Sequence, residues 1–297
     1  MTSSAPDRVL IGPKGLRWPW RVLMFLALVY TMSFALDLIR PLRHFLDLLL
    51  TSPEETPLPV IVVEGKRALL VIVAAAIMRI LENRPFADYG LPLKQAFGKR
   101  FWQGIALGFA MLTLLLAGIG VLHGFSLTGW ALTGAAAVKY GLAWALASLC
   151  IALYEDFAFR GYMQSALGDG LGFWPAALIL SVIYGAIHWN NSGEALFGCV
   201  TVGIFGLVDA FALRRTGSLW LPIGMHLAWD WGESYFYGTP DSGLTATGHL
   251  LNSSFHGPKW LAGGTVGPEG SWLVLPTLLL WAVAIHFLFP AKRAAAA

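Results

Sequence analysis

Residues 139–165 read KYGLAWALASLCIALYEDFAFRGYMQS, an apolar stretch that is interrupted towards its end by two acids and a base. A helix needs about 20 mostly apolar residues to cross the hydrocarbon core of a membrane, at a rise of about 1.5 Å per residue. This stretch is long enough, and its acids lie inside it rather than at its ends. It therefore predicts a membrane-spanning helix that carries polar groups within the membrane.

The composition of the whole chain is that of a membrane protein. Of its 297 residues, 57% are hydrophobic and 12% are charged, whereas soluble domains average about 45 to 50% and about 25%. Thirteen Trp and 33 Gly fit aromatic residues at membrane interfaces and close helix packing. These numbers exclude a soluble enzyme, a disordered chain and a nucleic-acid binder. The net charge of +3 gives no reason to expect a nucleic-acid partner.

Eight apolar stretches have the length of a spanning helix. The predicted fold class is an all-α polytopic membrane protein, with about eight transmembrane helices in one bundle around a polar intramembrane cavity. The two long segments 40–66 and 237–270 are rich in Pro, Gly and Ser and are predicted to be loops. The predicted spans are 19–39, 67–83, 102–123, 139–165, 173–189, 195–213, 219–236 and 271–290.

Small residues and charges refine this prediction. Two glycine sets, Gly104 with Gly108 and Gly198 with Gly203 and Gly206, are predicted helix-packing faces. The two cysteines, Cys150 and Cys199, lie in apolar runs and are predicted to be buried hydrophobic side chains rather than a disulfide.

Twelve Lys and Arg lie near span ends on the side of the N-terminus, against six on the other. This bias predicts cytoplasmic termini and an integral, multi-pass protein.

Ionisable side chains inside spans are the candidate functional groups, because each costs about 2.5 to 3.5 kcal/mol on insertion scales. Asp156 and Arg160 are four residues apart and are predicted to pair. Glu155 points about 100° away from Asp156 and is left for another task. Asp209 is predicted to be a helix-end group near Arg214. The other polar pairs with a four-residue spacing are Tyr184 with His188 and His226 with Asp230.

Three kinds of chemistry fit one carboxylate, two histidines and a second carboxylate on separate spans. A Glu or His could take a proton from water while other groups stabilise an oxyanion. The same side chains could hold zinc, which binds His nitrogen and carboxylate oxygen. A transporter, proton relay or scaffold could use the cluster for binding without catalysis. The spacing of the residues leaves these alternatives open.

The sequence resembles the CAAX protease and bacteriocin-processing family (CPBP, also called Abi) of intramembrane proteases, and its type II CAAX prenyl endopeptidases. The family motif Glu-Glu-x-x-x-Arg is matched by Glu155-Asp156-Phe157-Ala158-Phe159-Arg160, with Asp in the second acidic place. Phe-x-x-x-His is matched by Tyr184 to His188, and His-x-x-x-Asn/Asp by His226 to Asp230. The run 215–223 also resembles the family's lead-in to its last motif. The likeness covers about residues 140–235.

The resemblance implies an intramembrane endopeptidase that hydrolyses a peptide bond in a membrane-associated or lipidated substrate. Glu155 would activate water with help from His188, and His226 and Asp230 would stabilise the oxyanion. Asp156, Arg160 and Tyr184 would support them. On a metalloprotease reading, His188 and His226 would bind Zn²⁺, although metal-free glutamate-type catalysis is equally open. The implied partners are membrane lipid and a membrane-associated protein or peptide, and the expected location is a bacterial cell membrane.

The resemblance also divides the chain. We expect a cytoplasmic N-terminal arm at 1–18, N-terminal transmembrane helices at 19–135, a CPBP-like catalytic core at 136–236, and a loop with a C-terminal transmembrane helix at 237–297.

The predicted depths of two site residues in the membrane conflict with their acting together. Counting along the spans puts Glu155 near mid-membrane and His188 close to the outer end, at about 1.5 Å per residue. A tilt or a depth offset is needed for the two to meet.

Overall fold

The computed structural model describes residues 10–12, 15–50, 56–190 and 196–290. Most of the predicted N-terminal arm and the last seven residues of the predicted C-terminal region therefore lie outside the described residues. The helices in chain order are α1 (Trp18–Asp37), α2 (Arg40–Leu50), α3 (Pro57–Glu82), α4 (Lys99–Val121), α5 (Gly134–Glu155), α6 (Gln164–Leu171), α7 (Phe173–Ile187), α8 (Leu196–Thr216), α9 (Trp220–Trp231), α10 (Lys259–Ala262) and α11 (Val274–Leu288).

Shorter elements connect and extend these helices. A π-helical segment, Asp156–Met163, joins α5 to α6, and a second, Gly232–Tyr237, extends α9. Antiparallel strands β1 (Ile11–Gly12) and β2 (Gly15–Leu16) pair with each other, and so do β3 (Phe125–Trp130) and β4 (Leu251–Phe255). The single-turn 3₁₀ helices are Phe86–Tyr89, Leu93–Gln95, His188–Asn190 and Pro268–Gly270.

The predicted all-α polytopic membrane fold is confirmed, and each of the eight predicted spans falls on a helix. Among the described residues, four helical stretches are long and apolar enough to cross a membrane. Helices α7 and α11 are apolar but shorter, and the count of eight crossings stays a prediction. The four long stretches are Trp18–Asp37, Lys99–Val121, Gly134–Leu171 and Leu196–Thr216.

The prediction of a loop over residues 40–66 is wrong. Helix α2 occupies its first part, and α3 begins at Pro57, ten residues before the predicted span. Pro57 and Pro59 resembled loop residues, but proline fits the first turn of a helix, where its missing N–H has no intrahelical partner. The charged residues Glu64 and Arg67 were also typical of a loop. In the structure they form an ion pair with each other at 2.6 Å.

Glycines bring the helices around the core into close contact. A Cβ at Gly104 would lie 2.2 Å from the Leu221 carbonyl oxygen, and one at Gly108 would lie 2.2 Å from that of Met225. Helices α4 and α9 therefore touch through backbone atoms, as the first glycine set predicts. Helices α7 and α8 do the same, because a Cβ at Gly185 would lie 2.2 Å from the Cys199 carbonyl oxygen.

A network of ion pairs joins three helices at one end of the bundle. Arg21 of α1 lies 2.8 Å from Glu82 of α3 and 2.5 Å from Asp169 of α6. Arg84 also pairs with Asp169, at 2.7 Å. The Tyr89 hydroxyl donates a hydrogen bond to Glu82 at 3.0 Å, and burial together with that carboxylate raises the pKa of Tyr89. These contacts fix the ends of α1, α3 and α6 against one another.

Candidate active site

Glu155 is the last residue of α5 and lies where the helix widens into its π-helical segment. Such wide turns are rare and often mark functional sites. Its Oε2 accepts a hydrogen bond from the Tyr184 hydroxyl at 2.6 Å and lies 3.9 Å from His226 Nε2. The side chain is 17% exposed, so the carboxylate can meet water while three helices hold it.

His226 lies in α9 among three carboxylates. Its Nδ1 is 3.4 Å from Asp156 Oδ2, and its Nε2 is 3.6 Å from Asp230 Oδ2 as well as close to Glu155. The Phe205 ring packs against the imidazole, with 5.5 Å between ring centroids. Each ring nitrogen therefore has a carboxylate within 4 Å. His226 and Asp230 therefore share one face, as their spacing predicts.

The predicted pair of Asp156 and Arg160 is confirmed, at 3.5 Å between Oδ1 and Nη1. The Arg160 guanidinium also lies over the Tyr184 ring, 3.9 Å from its centroid. Asp156 is fully buried and contacts both Arg160 and His226. Sequence spacing revealed the contact within the helix but not the one with His226, because that contact depends on how α9 packs against α5.

The prediction that Asp209 is a helix-end group near Arg214 is wrong. Asp209 is fully buried within α8, and no described residue forms a hydrogen bond with either of its carboxylate oxygens. It interacts electrostatically with Asp156, Arg160 and His226. The neighbouring turn of α8 brings Gly206 so close to Arg160 that a Cβ there would lie 2.5 Å from Nη2. Asp209 is therefore, like Asp156, a buried acid beside the site residues.

His188 ends α7 and lines the same cavity as Glu155, His226 and Asp230. The cavity has a volume of about 950 Å³. His188 Nδ1 lies 2.7 Å from the Tyr184 carbonyl oxygen, and the two rings are 4.7 Å apart. Tyr184 thus contacts Glu155 through its hydroxyl and His188 through its backbone. Despite the depth difference predicted by counting residues, Glu155 and His188 line one cavity and both contact Tyr184.

His188 and His226 do not form a compact metal-ligand set in this geometry. Within the part of the chain that the structure describes, one group of three side chains brings potential ligand atoms within 4.8 Å of each other, namely Glu233, Asp241 and Glu269. Zinc at the two histidines would need side-chain movement to gain a third ligand at a bonding distance of about 2.0 to 2.2 Å. The zinc site stays a prediction.

The central part of the chain matches a known protein family. Residues 137–232 match the family model described as Rce1-like, type II CAAX prenyl endopeptidase Rce1-like. The centre of this chain is therefore similar to this family, and the match covers about a third of the chain. The predicted family resemblance is confirmed over nearly the same residues.

A curated relative agrees with this match. The protein named "Putative membrane peptidase YdiL" of Bacillus subtilis (strain 168) is 33% identical over 75 residues. That alignment covers 25% of this chain and 29% of the relative. The likeness is therefore that of a segment, and less than a third of the relative's length is matched.

The Rce1-like segment contains every site residue that the sequence predicted. The cavity, however, is also lined by residues outside that segment, which sequence reasoning missed. Glu64 and Arg67 come from α3, and Asp241 and Glu269 come from residues 237–270. The apolar run Val60 to Val63 before Glu64 was the available signal for the first pair. No local signal placed the second pair beside the site, because both lie in irregular chain.

Proposed function

We propose that this protein is an intramembrane endopeptidase, similar to CAAX prenyl proteases, that hydrolyses a peptide bond in a membrane-associated or lipidated protein or peptide. The observation that carries the proposal is the position of Glu155. Its carboxylate lies on the wall of the 950 Å³ cavity, between a hydroxyl donor, Tyr184, and an imidazole, His226. The Rce1-like segment around it supports the same chemistry.

In the proposed reaction Glu155 accepts a proton from water as the water oxygen attacks the scissile carbonyl carbon. His188, on the same cavity wall, assists in holding that water. His226, positioned by Asp156 and Asp230, donates a hydrogen bond to the oxyanion. Glu155 then passes its proton to the leaving amine as the C–N bond breaks. The cavity admits water while apolar outer helix faces meet lipid.

Zinc is a second version of the same proposal. Its donors would be His188 and His226 with a carboxylate, and it would supply Lewis-acid polarisation of the carbonyl and a more acidic bound water. His188 Nδ1 already faces a backbone carbonyl, an arrangement that orients the other ring nitrogen of metal-bound histidines. Activity that survives complete chelation of metal would remove this version and leave Glu155 as the base.

The test uses the purified full chain in detergent or nanodiscs with membrane-associated peptides, both with and without a prenylated C-terminal Cys. We expect Glu155→Gln and His188→Ala to reduce the cleavage rate by about 10²- to 10⁴-fold, the usual contribution of general acid–base catalysis. Asp47→Asn is the control, because Asp47 is exposed on α2 and should not change the rate. Folded Glu155→Gln protein that cleaves at the parental rate would refute the proposal and favour a non-catalytic role.

A further inference from the structure

A second acidic cluster lies at the edge of the cavity, apart from the proposed catalytic residues. It consists of Glu233 in the π-helical extension of α9, Asp241 in the following segment, and Glu269 in the 3₁₀ turn before α11. One carboxylate oxygen from each of the three lies within 4.8 Å of the others. Asp241 and Glu269 also line the cavity, so an ion has a path to them through water.

Glu233 gives this cluster a feature that chance clustering of surface acids lacks. Its side chain is fully buried, and among the described residues neither carboxylate oxygen has a geometrically good hydrogen bond. No ion pair within the described part of the chain includes Glu233 or Glu269. Burying an unpaired carboxylate is costly, so a buried acid is normally paired, bound to metal or protonated. The missing compensation for Glu233 points to a cation.

The other two acids are held in fixed orientations. The Trp229 indole donates to Glu269 Oε1 at 3.1 Å, and the Ser242 hydroxyl donates to Glu269 Oε2 at 2.7 Å. The Ser234 hydroxyl donates to Asp241 Oδ2 at 3.0 Å. Carboxylate oxygens that are oriented by neighbouring donors resemble the ligands of protein cation sites, whose outer contacts fix the first ligands.

The donor chemistry selects the kind of ion. All three ligands are oxygens, and hard divalent cations prefer oxygen, whereas zinc favours sites that include nitrogen or sulfur. Two oxygens bound to one Ca²⁺ at about 2.3 to 2.6 Å can be up to about 5 Å apart. The observed separations of at most 4.8 Å lie within this range, so small side-chain adjustments bring all three oxygens to bonding distance. Mg²⁺ needs shorter distances and near-octahedral geometry.

We propose that Glu233, Asp241 and Glu269 form a Ca²⁺ site that joins the end of α9 to residues 238–270. The ion neutralises the buried Glu233 carboxylate and cross-links chain segments that are otherwise connected through loops. Because Glu233 lies one turn beyond Asp230, the ion also stiffens the helix that carries the second half of the proposed active site. The site does not depend on the proposed protease activity, since its test measures binding and stability.

The test is thermal unfolding of the purified full chain, first freed of metal with EGTA and then titrated with Ca²⁺ or Mg²⁺. For the parent protein we expect a rise in Tm of about 2 to 4 °C for each tenfold excess of Ca²⁺ over its dissociation constant, and a smaller rise with Mg²⁺. Glu233→Gln and Glu269→Gln should lose the response, and Asp47→Asn should keep it.

The stability of the Glu233→Gln variant in EGTA gives a separate test. Without metal this variant should be at least as stable as the parent, because it removes an unpaired buried charge. If the variants fail to fold, calorimetric titration of the parent with Ca²⁺ still decides, with one ion per chain expected. No heat and no change in Tm up to about 10 mM, above the weak end of extracellular Ca²⁺ sites, would overturn the proposal. So would a Glu233→Gln protein that responds to Ca²⁺ as the parent does.

Discussion

At the scale of single residues, Asp156 is the side chain whose position changes its interpretation most. In the sequence it lies four residues before Arg160, at a position where the related family has Glu. In the structure the fully buried carboxylate lies between Arg160, at 3.5 Å, and His226, at 3.4 Å. It therefore couples the first and last motifs of the candidate site, because one Asp carboxylate contacts both side chains.

Asp156→Asn should reduce both stability and cleavage. Removing one partner of a buried ion pair costs about 3 to 5 kcal/mol, although Asp209 also faces Arg160 and should lessen the loss. Adding Arg160→Gln should recover much of the Tm, because the buried cation is then removed too, while cleavage stays low because His226 still lacks its acid. Thermal unfolding and peptide cleavage check this expectation. Full recovery of cleavage in the double variant would contradict a positioning role for Asp156.

At the scale of helices, the contact between α4 and α9 fixes the depth of His226. Gly108 faces the Met225 carbonyl oxygen, directly beside His226 in the chain. Small residues are required there because the two backbones touch. In membranes such packing supplies much of the attraction between helices, since lipid is as apolar as the side chains.

Gly108→Ala should therefore lower the Tm and slow cleavage by pushing α9 away from α4. A Cβ at this position would lie 2.2 Å from a backbone oxygen that cannot turn aside. Gly118→Ala on the same helix is the matched control, because its Cβ would meet Leu273 at an ordinary 3.7 Å. Both proteins are compared by thermal unfolding and by cleavage. Equal behaviour of the two variants would show that the α4–α9 contact tolerates separation.

At the scale of the whole molecule, the fold is a bundle whose interior is mostly apolar, with buried polar clusters at the candidate site, at the Arg21–Glu82 pair and at Glu233. Large apolar side chains lie exposed on outer helix faces, including Tyr30, Phe34, Val182 and Phe287. Exposed apolar surface of this extent indicates contact with lipid. The pairing of β3 with β4 places residues 125–130 and 251–255 at the same end of the bundle.

The positive-inside bias predicts that the end of the bundle with β3 and β4 lies outside the cell. We expect Thr128→Cys, on exposed β3, to react with a membrane-impermeant thiol reagent in intact cells. Asp88→Cys, in the connection before α4, should react after permeabilisation. Cys150 and Cys199 are first replaced by Ala, so that the introduced thiol alone is labelled. The reverse labelling pattern would invert the predicted orientation.

The sequence by itself determined the features that depend on neighbouring residues. Apolar length located a helix at each predicted span, and four-residue spacing paired Asp156 with Arg160 and His226 with Asp230. The ordered motifs indicated a resemblance to the CAAX protease family, which the match of residues 137–232 supports. The loop predicted over residues 40–66 was wrong because proline and charge are ambiguous signals at the start of a helix.

Tertiary structure alone decided which distant groups meet. In the structure Asp156 contacts His226, and Asp209 lies in the interior rather than at a helix end. The structure also brings Glu233, Asp241 and Glu269 together. The physical reason is that helix periodicity specifies a face but not a depth or a partner. Those are set by where helices cross, and the crossings here depend on backbone contacts at glycines such as Gly108 and Gly185. Spacing along one helix carries no information about them.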